Sequence, residues 1–258
     1  MGSEVGYEVV EGVAHVTIDR PDKRNAMNLE VFAQLAERAA AVQADDDVRA
    51  VVVAGRDGNF SAGIDLVTLE RLLGDGLEPT FVARLQATFT AYEELDVPVV
   101  AAIEGHCLGA GVQLAAACHL RAVAPDASLA VMESRWGLIP DLGGTHRLPR
   151  LIGPGRTTEL AMTARRFDAE EARRIGFAEI ALPGEDAQGA AHTLAARLAA
   201  GPGSVRQLPR LIRENLDRDR AGALAAEIVA QEAAVTGPDV AEAIAAHRAG
   251  RQPRFVAR

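Results

Sequence analysis

An α/β fold with largely parallel strand pairing is predicted by three features of the chain. The segments "VRAVVVAG" and "VPVVAAIEG" are apolar runs bounded by turn residues, as expected of strands covered on both faces. Helical stretches and Gly-containing polar loops alternate with such strands. The chain has 258 residues, 48% of them hydrophobic, with mean hydropathy near zero. Those values suit one large globular domain, or a domain with an appendage.

Taken in order, "YEVVEGVAHVTIDRP" reads as two short strands joined at Glu11-Gly12, with Ala14, Val16 and Ile18 alternating against His15, Thr17 and Asp19. The loop "RPDKRNAMN" follows, and Asn28 is the expected N-cap of a helix over about 29–43. After the strand "VRAVVVAG" comes a polar loop, "RDGNFSAGIDL", and then mixed helical sequence over roughly 65–95. "VPVVAAIEG" leads into "IEGHCLGAGVQLAAAC", a glycine loop opening a helix over about 110–118. "LRAVA" and "SLAVM" are short strands, and "GLIPDLGGTHRLPRLIG" is irregular at first, then helical. "DAEEARRIG" carries a capping-box pattern, Asp168 with Glu171, and "FAEIALP" reads as a strand. From about 186 the sequence is Ala-rich and helical, broken near "AGPGS" and "TGPD". A core over 1–195 and a helical C-terminal region over 196–258 are expected. There is no internal repeat or low-complexity tract.

Several function classes are excluded or disfavoured. A net charge of −9 argues against a broad nucleic-acid footprint. No apolar run is long enough to span a bilayer, and no secretory leader pattern opens the sequence, so a cytoplasmic location without membrane attachment is expected. Cys107 and Cys118 read as buried thiols in a reducing compartment. The six histidines form no metal-ligand pattern, so no metal is expected. Lys23 is the sole lysine.

The glycine loop over 105–111 first suggests phosphate binding. A P-loop would need G-K-[ST], and the dinucleotide fingerprint would need Gly at 114, which is Leu. An esterase elbow fails on the spacing around Ser61. Free N–H groups at a helix start can instead receive an oxyanion. A second Gly-containing loop, "FSAGIDL", also follows a strand, so each loop could supply one N–H to the same oxygen. Two tight turns with packing glycines would give the same pattern.

Together, "RPDKRNAMN", "NFSAGIDL", "VPVVAAIEGHCLGAGVQLAAAC", "GLIPDLGGTHRLPRLIG" and "DVAEAIAAHRAGRQPRF" resemble the crotonase superfamily, the enoyl-CoA hydratases and isomerases. The likeness covers nearly the whole chain, with five motifs in order. It implies a crotonase/ClpP-like spiral of β-β-α units with a helical C-terminal trimerisation segment, forming a homotrimer or a dimer of trimers. It implies an acyl-CoA thioester as substrate, which brings its own coenzyme A, with no further cofactor. The oxyanion donors would be the N–H groups of Ile64 and Ala110. Ala110 stands where the family usually has Gly. Coenzyme A would meet Lys23, Arg24, Ala26, Ala62 and Gly109, with the two cations facing its phosphates.

Hydratases of the family carry two glutamates. The second is matched by Glu133, the expected general acid/base. The first is replaced by Gln113, and an amide cannot act as a general base. Asp141, eight residues after Glu133, matches an acid of dienoyl-CoA isomerases and the nucleophile of 4-chlorobenzoyl-CoA dehalogenase. Dienoyl isomerases, however, also carry an acid where this chain has Gln113. The resemblance therefore implies an enoyl-CoA hydratase/isomerase. The alternatives are a single-base enoyl- or dienoyl-CoA isomerase, or a non-catalytic acyl-CoA-binding protein. No Ser–His–Asp pattern supports a ClpP-like peptidase.

Overall fold

The computed structural model describes residues 2–75 and 78–255. A hairpin opens the chain: β1 (Val5–Val10) pairs antiparallel with β2 (Val13–Ile18). Glu11 and Gly12 both have positive φ at the turn, as the twist of a two-residue hairpin connection requires. A 3-10 turn at Pro21–Lys23 leads to α1 (Leu29–Ala44), where the Asn28 side chain accepts the Val31 N–H as the predicted N-cap. Next come β3 (Ala50–Gly55), α2 (Leu66–Asp75), α3 (Pro79–Glu93) and β4 (Val99–Ile103). The helical stretch expected over 65–95 is thus two helices, the second opened by Pro79 at its first turn. Positions 76 and 77, inside that stretch, lie outside the described residues.

The glycine loop contains a strand that periodicity did not reveal, β5 (His106–Leu108), before α4 (Ala110–Ala117). Three residues are too few to display an alternation. β6 (Leu120–Val123) and β7 (Ser128–Ala130) follow, then a 3-10 turn at Glu133–Trp136 and α5 (Gly144–Thr163), which breaks at Gly153. β8 (Phe167–Asp168), also unforeseen, runs into α6 (Ala169–Arg174). Asp168 caps α6 by accepting from Glu171 N, but the Glu171 carboxylate binds Arg165, so only half of the capping box forms. The strand expected at "FAEIALP" is reduced to β9 (Ile180–Ala181). Four helices complete the described chain: α7 (Ala187–Ala199), α8 (Gly203–Asn215), α9 (Arg220–Thr236) and α10 (Asp239–Ala249).

Six strands form the main sheet in the order β1-β2-β3-β4-β6-β9, parallel from β2 onward. A smaller sheet, β5-β7-β8, is parallel between β5 and β7 and antiparallel between β7 and β8. The main sheet is covered on both faces. From β3 and β4, Val51, Val53, Val99, Ala101 and Ile103 join the larger core with α1, α3 and α4, while Ala50, Val52, Ala54, Val100 and Ala102 face the second core. That second core is closed by α7, whose buried Ala187, Ala191, Ala195 and Ala199 recur every fourth residue. Methyl side chains at that spacing bring the helix axis close to the sheet. The division expected at 195/196 therefore falls inside a helix of the core, and the change of character comes at the connection over 200–202.

Candidate active site

Two strand-to-helix loops meet side by side. Ser61 pairs with Cys107 as an isolated parallel bridge, with Ser61 N donating to His106 O (2.8 Å) and Leu108 N to Ser61 O (2.9 Å). Close approach depends on glycine. A Cβ on Gly63 (φ +93°) would lie 2.8 Å from Leu108 O and 3.6 Å from Ala110 N, and one on Gly111 would lie 2.9 Å from Ser61 O. Ile64 and Ala110, from different parts of the sequence, are thereby brought to one place. Ala110 is the first residue of α4, so its N–H has no carbonyl within the helix to bond. None of the hydrogen bonds described in this region uses the N–H of Ile64 or of Ala110. Both are available to an oxygen from outside.

A buried polar network holds the first loop against the 20–27 turn. Asn25, fully buried, donates to the carbonyls of Arg56 (2.8 Å) and Asn59 (2.6 Å) and accepts from Arg20 N (2.9 Å). Ser61 Oγ donates to Asn25 O and accepts from Gly63 N. Ala62 N donates to Arg24 O (2.9 Å). The turn carrying Lys23, Arg24 and Ala26 therefore adjoins the loop carrying Ala62 and Ile64. Lys23 and Arg24 are exposed there, and neither has an ion-pair partner among the described residues. Asn25, within "RPDKRNAMN", and Ser61, rejected as an esterase nucleophile, are site-supporting residues that motif and spacing do not indicate. No local pattern marks Asn25, which stands between the exposed Arg24 and the half-buried Ala26, whereas Ser61 follows the buried Phe60.

Gln113 and Glu133 are in direct contact. Gln113, 1% exposed on α4, donates from Nε2 to Glu133 Oε1 at 2.7 Å. Its own oxygen accepts twice, from Leu142 N (2.8 Å) and Gly144 N (3.0 Å). Those bonds fix the amide's orientation and fill both lone pairs. Gly144 is needed at this point, since a Cβ there would lie 2.8 Å from Gln113 Oε1. Glu133 is 9% exposed, and its Oε2 is buried with no hydrogen-bond partner among the described residues. Gly109 stands beside Glu133, and its φ of +52° is the backbone conformation that favours glycine there. Burial pushes the Glu133 carboxyl above the usual carboxylate range, and the charge of Asp141 adds to that shift, while the Gln113 hydrogen bond opposes it.

Asp141 is half-buried, and desolvation raises its carboxyl too. Two further residues unmarked by the sequence hold its segment. Gln86 of α3 donates to Asp141 O at 2.5 Å, and the buried Arg147 donates to Leu142 O (3.0 Å) while pairing with Glu93 Oε2 (2.6 Å). Among the described residues, no cluster of His, Cys, Asp and Glu is arranged to hold a metal ion.

A pair of unused backbone donors beside a partly unsatisfied buried carboxylate is equipment for an enzyme that moves protons next to an activated carbonyl. The family model for enoyl-CoA hydratase/isomerase matches residues 8–258. YngF of Bacillus subtilis (strain 168), which carries an enoyl-CoA hydratase/isomerase name, is 36% identical over 255 residues, 98% of each chain. Rat mitochondrial Δ(3,5)-Δ(2,4)-dienoyl-CoA isomerase is 38% identical over 203 residues, covering 73% of this chain and 61% of the rat protein. The crystal structure of an enoyl-CoA hydratase from Bacillus anthracis superposes with a TM-score of 0.92 at 30% identity, covering 99% of this chain and 100% of that one. A Thermobifida fusca YX protein of enoyl-CoA hydratase name, solved with acetoacetyl-CoA, superposes with a TM-score of 0.82 at 33% identity over 90% of this chain and 94% of that one. This chain belongs to the enoyl-CoA hydratase/isomerase family and has the crotonase fold.

Proposed function

We propose that the protein acts on an unsaturated acyl-CoA thioester and shifts its double bond, with Glu133 as the one proton-transferring base. Glu133 takes a proton from C2 of a 3-enoyl thioester. The electron pair moves onto the thioester oxygen, which the Ile64 and Ala110 N–H groups receive, each donor contributing on the order of 3 kcal/mol. Collapse of the enolate with protonation at C4 by Glu133 leaves the double bond between C2 and C3 and regenerates the base.

One observation carries this reading over hydration. Adding water calls for a second group to accept or steer a water proton, and the Gln113 oxygen is already occupied by Leu142 N and Gly144 N. The unpartnered Glu133 Oε2 is the free acceptor in the pair. Similarity to a dienoyl-CoA isomerase supports a double-bond shift rather than hydration, though not a single base. A second reading, hydration with Asp141 as the other acid, is favoured by the proximity of its charge to Glu133. Parallel turnover assays on 3-enoyl-, 2-enoyl- and 3,5-dienoyl-CoA separate the two. Isomerisation should exceed hydration of the 2-enoyl thioester at least tenfold. Hydration as fast as isomerisation would overturn the single-base reading.

Lys23 and Arg24 supply the positive charge for the CoA phosphates, with Ala26, Ala62 and Gly109 along the bound chain. The exposed stripes Leu208 and Ile212 on α8, continued by Leu216 just past its end, and Leu224 and Ile228 on α9 suit burial between copies, as a homotrimer or a dimer of trimers. Two buried free thiols suit a cytoplasmic location. No cofactor is assigned beyond the CoA that the substrate carries.

A further inference from the structure

Arg20 lies between three parts of the chain. Its guanidinium donates to Ala26 O at 2.5 Å, reaches Asp65 Oδ2 at 3.2 Å, and pairs with Glu4 at 3.3 Å. Both members of the Arg20–Asp65 pair are largely buried, with side chains 15% and 13% exposed. Asp65 is committed at every polar atom. Its Oδ1 accepts from Val67 N (3.0 Å) and Thr68 N (3.4 Å), capping the start of α2, and its N–H donates to Met27 O (2.9 Å). On the other side of Ile64, Gly63 O accepts from Met27 N (2.7 Å). Ile64 is thus suspended between two residues that both bond to Met27, one of which Arg20 grips by its side chain. Gly63, with φ +93°, offers little stiffness of its own.

We infer that Arg20 and Asp65 are a positioning pair that aims the Ile64 N–H at the thioester oxygen. The inference rests on the acyl-CoA reading above. The pair joins the 20–26 turn, which carries the residues assigned to CoA, to the donor that receives charge at the reacting carbonyl. Neither side chain touches the reacting atoms. A shift of well under an ångström at Ile64 weakens a donor whose worth depends on being fixed before charge develops. An ion pair between partly buried groups suits this task because loss of the guanidinium leaves the Asp65 charge unpaired away from water, and loss of the Asp65 charge leaves Arg20 held by Glu4 alone.

The test uses the full-length protein with Asp65→Asn and Arg20→Lys variants. Asp65→Asn keeps the shape and the cap acceptor but removes the charge. Arg20→Lys keeps the charge but loses the planar guanidinium, whose Nη1 serves Ala26 O and Asp65 while its Nε reaches Glu4. The probe is a chromophoric cinnamoyl-CoA thioester, whose absorption moves to the red when hydrogen bonds polarise its carbonyl. Both variants should lose about half or more of the bound-state red shift, and kcat should fall about tenfold while KM stays within about twofold. A full red shift with unchanged kcat in both variants would overturn the inference. So would a rise in KM alone, or loss of folding in both variants, each of which marks the pair as purely structural. If the unaltered protein itself produces no red shift and turns over no enoyl-CoA, the failure belongs to the acyl-CoA reading instead.

Discussion

Helices α4 and α9 are both rich in alanine, yet they have opposite fates. All eight residues of α4 are buried, including the amide of Gln113, whereas none of the seventeen residues of α9 is. Composition does not separate them; what each packs against does. α4 is drawn into the body by Gly111, which allows its backbone to approach that of Ser61, and the buried amide of Gln113 has a partner at its nitrogen and two at its oxygen. α9 turns small residues toward a cleft of about 1060 Å³ beside α8 and α10, and presents Leu224 and Ile228 outward at 49% and 69% exposure. A single chain thus finishes the chemistry on its buried side and leaves an apolar surface unfinished on the other.

The largest expected effect is on the α4 side. Glu133→Gln keeps the shape and a hydrogen bond to Gln113 but removes the base, so kcat on an enoyl-CoA should fall about a thousandfold with substrate affinity preserved. Full turnover would end the assignment of Glu133. Next comes Gly63→Ala. The new Cβ would stand 2.8 Å from Leu108 O at a φ of +93°. Separation of the two loops should cost about 2 kcal/mol of stability and about a hundredfold in kcat, read by thermal melting and steady-state kinetics. A melting temperature and rate equal to the parent's would mean that the loops need not touch.

Legibility in the sequence divides along the same line. The strands of the main sheet were readable because burial on both faces leaves continuous apolar runs such as "VRAVVVAG". The Asn28 cap was readable because capping is local. β5 and β8 were not, since two or three residues carry no period, and they exist because neighbouring strands offer partners. At the site, Gln113, Glu133, Ile64 and Ala110 could be named from motif resemblance, and they converge. What the sequence could not convey was which lone pairs are occupied. The two backbone donors to Gln113 come from Leu142 and Gly144, about thirty positions away, and no spacing rule connects them. Arg20, Gln86 and Arg147 are illegible for the same reason, because each has a partner far along the chain, in Asp65, the Asp141 carbonyl and Glu93.

On the α9 side, Ile228→Asp places a charge in the middle of the exposed stripe. With nothing of the chain itself packed over that position, the isolated subunit should fold as before. If the proposed trimer uses this stripe, sedimentation should show a shift toward smaller species, and activity per subunit should change only a few-fold. An unchanged mass would remove α9 from the subunit contact and leave the α8 stripe as its candidate.

The smallest effect is the most discriminating within the site. The acidic limb of kcat/KM reports protonation of the base, and burial and the Asp141 charge both raise the Glu133 carboxyl. A raised carboxyl stays protonated to higher pH, so activity should be lost on acidification sooner than for an ordinary carboxylate. Asp141→Asn removes the like charge, which lowers the Glu133 carboxyl and moves the acidic limb to lower pH. The plateau rate on a 3-enoyl-CoA should stay within about threefold, because Asp141 then acts only through the field at Glu133. If the plateau collapses at every pH instead, Asp141 is a working acid of the reaction. The buried site would then hold two acids again, and hydration would return as the better account of why Gln113 could take a carboxylate's place.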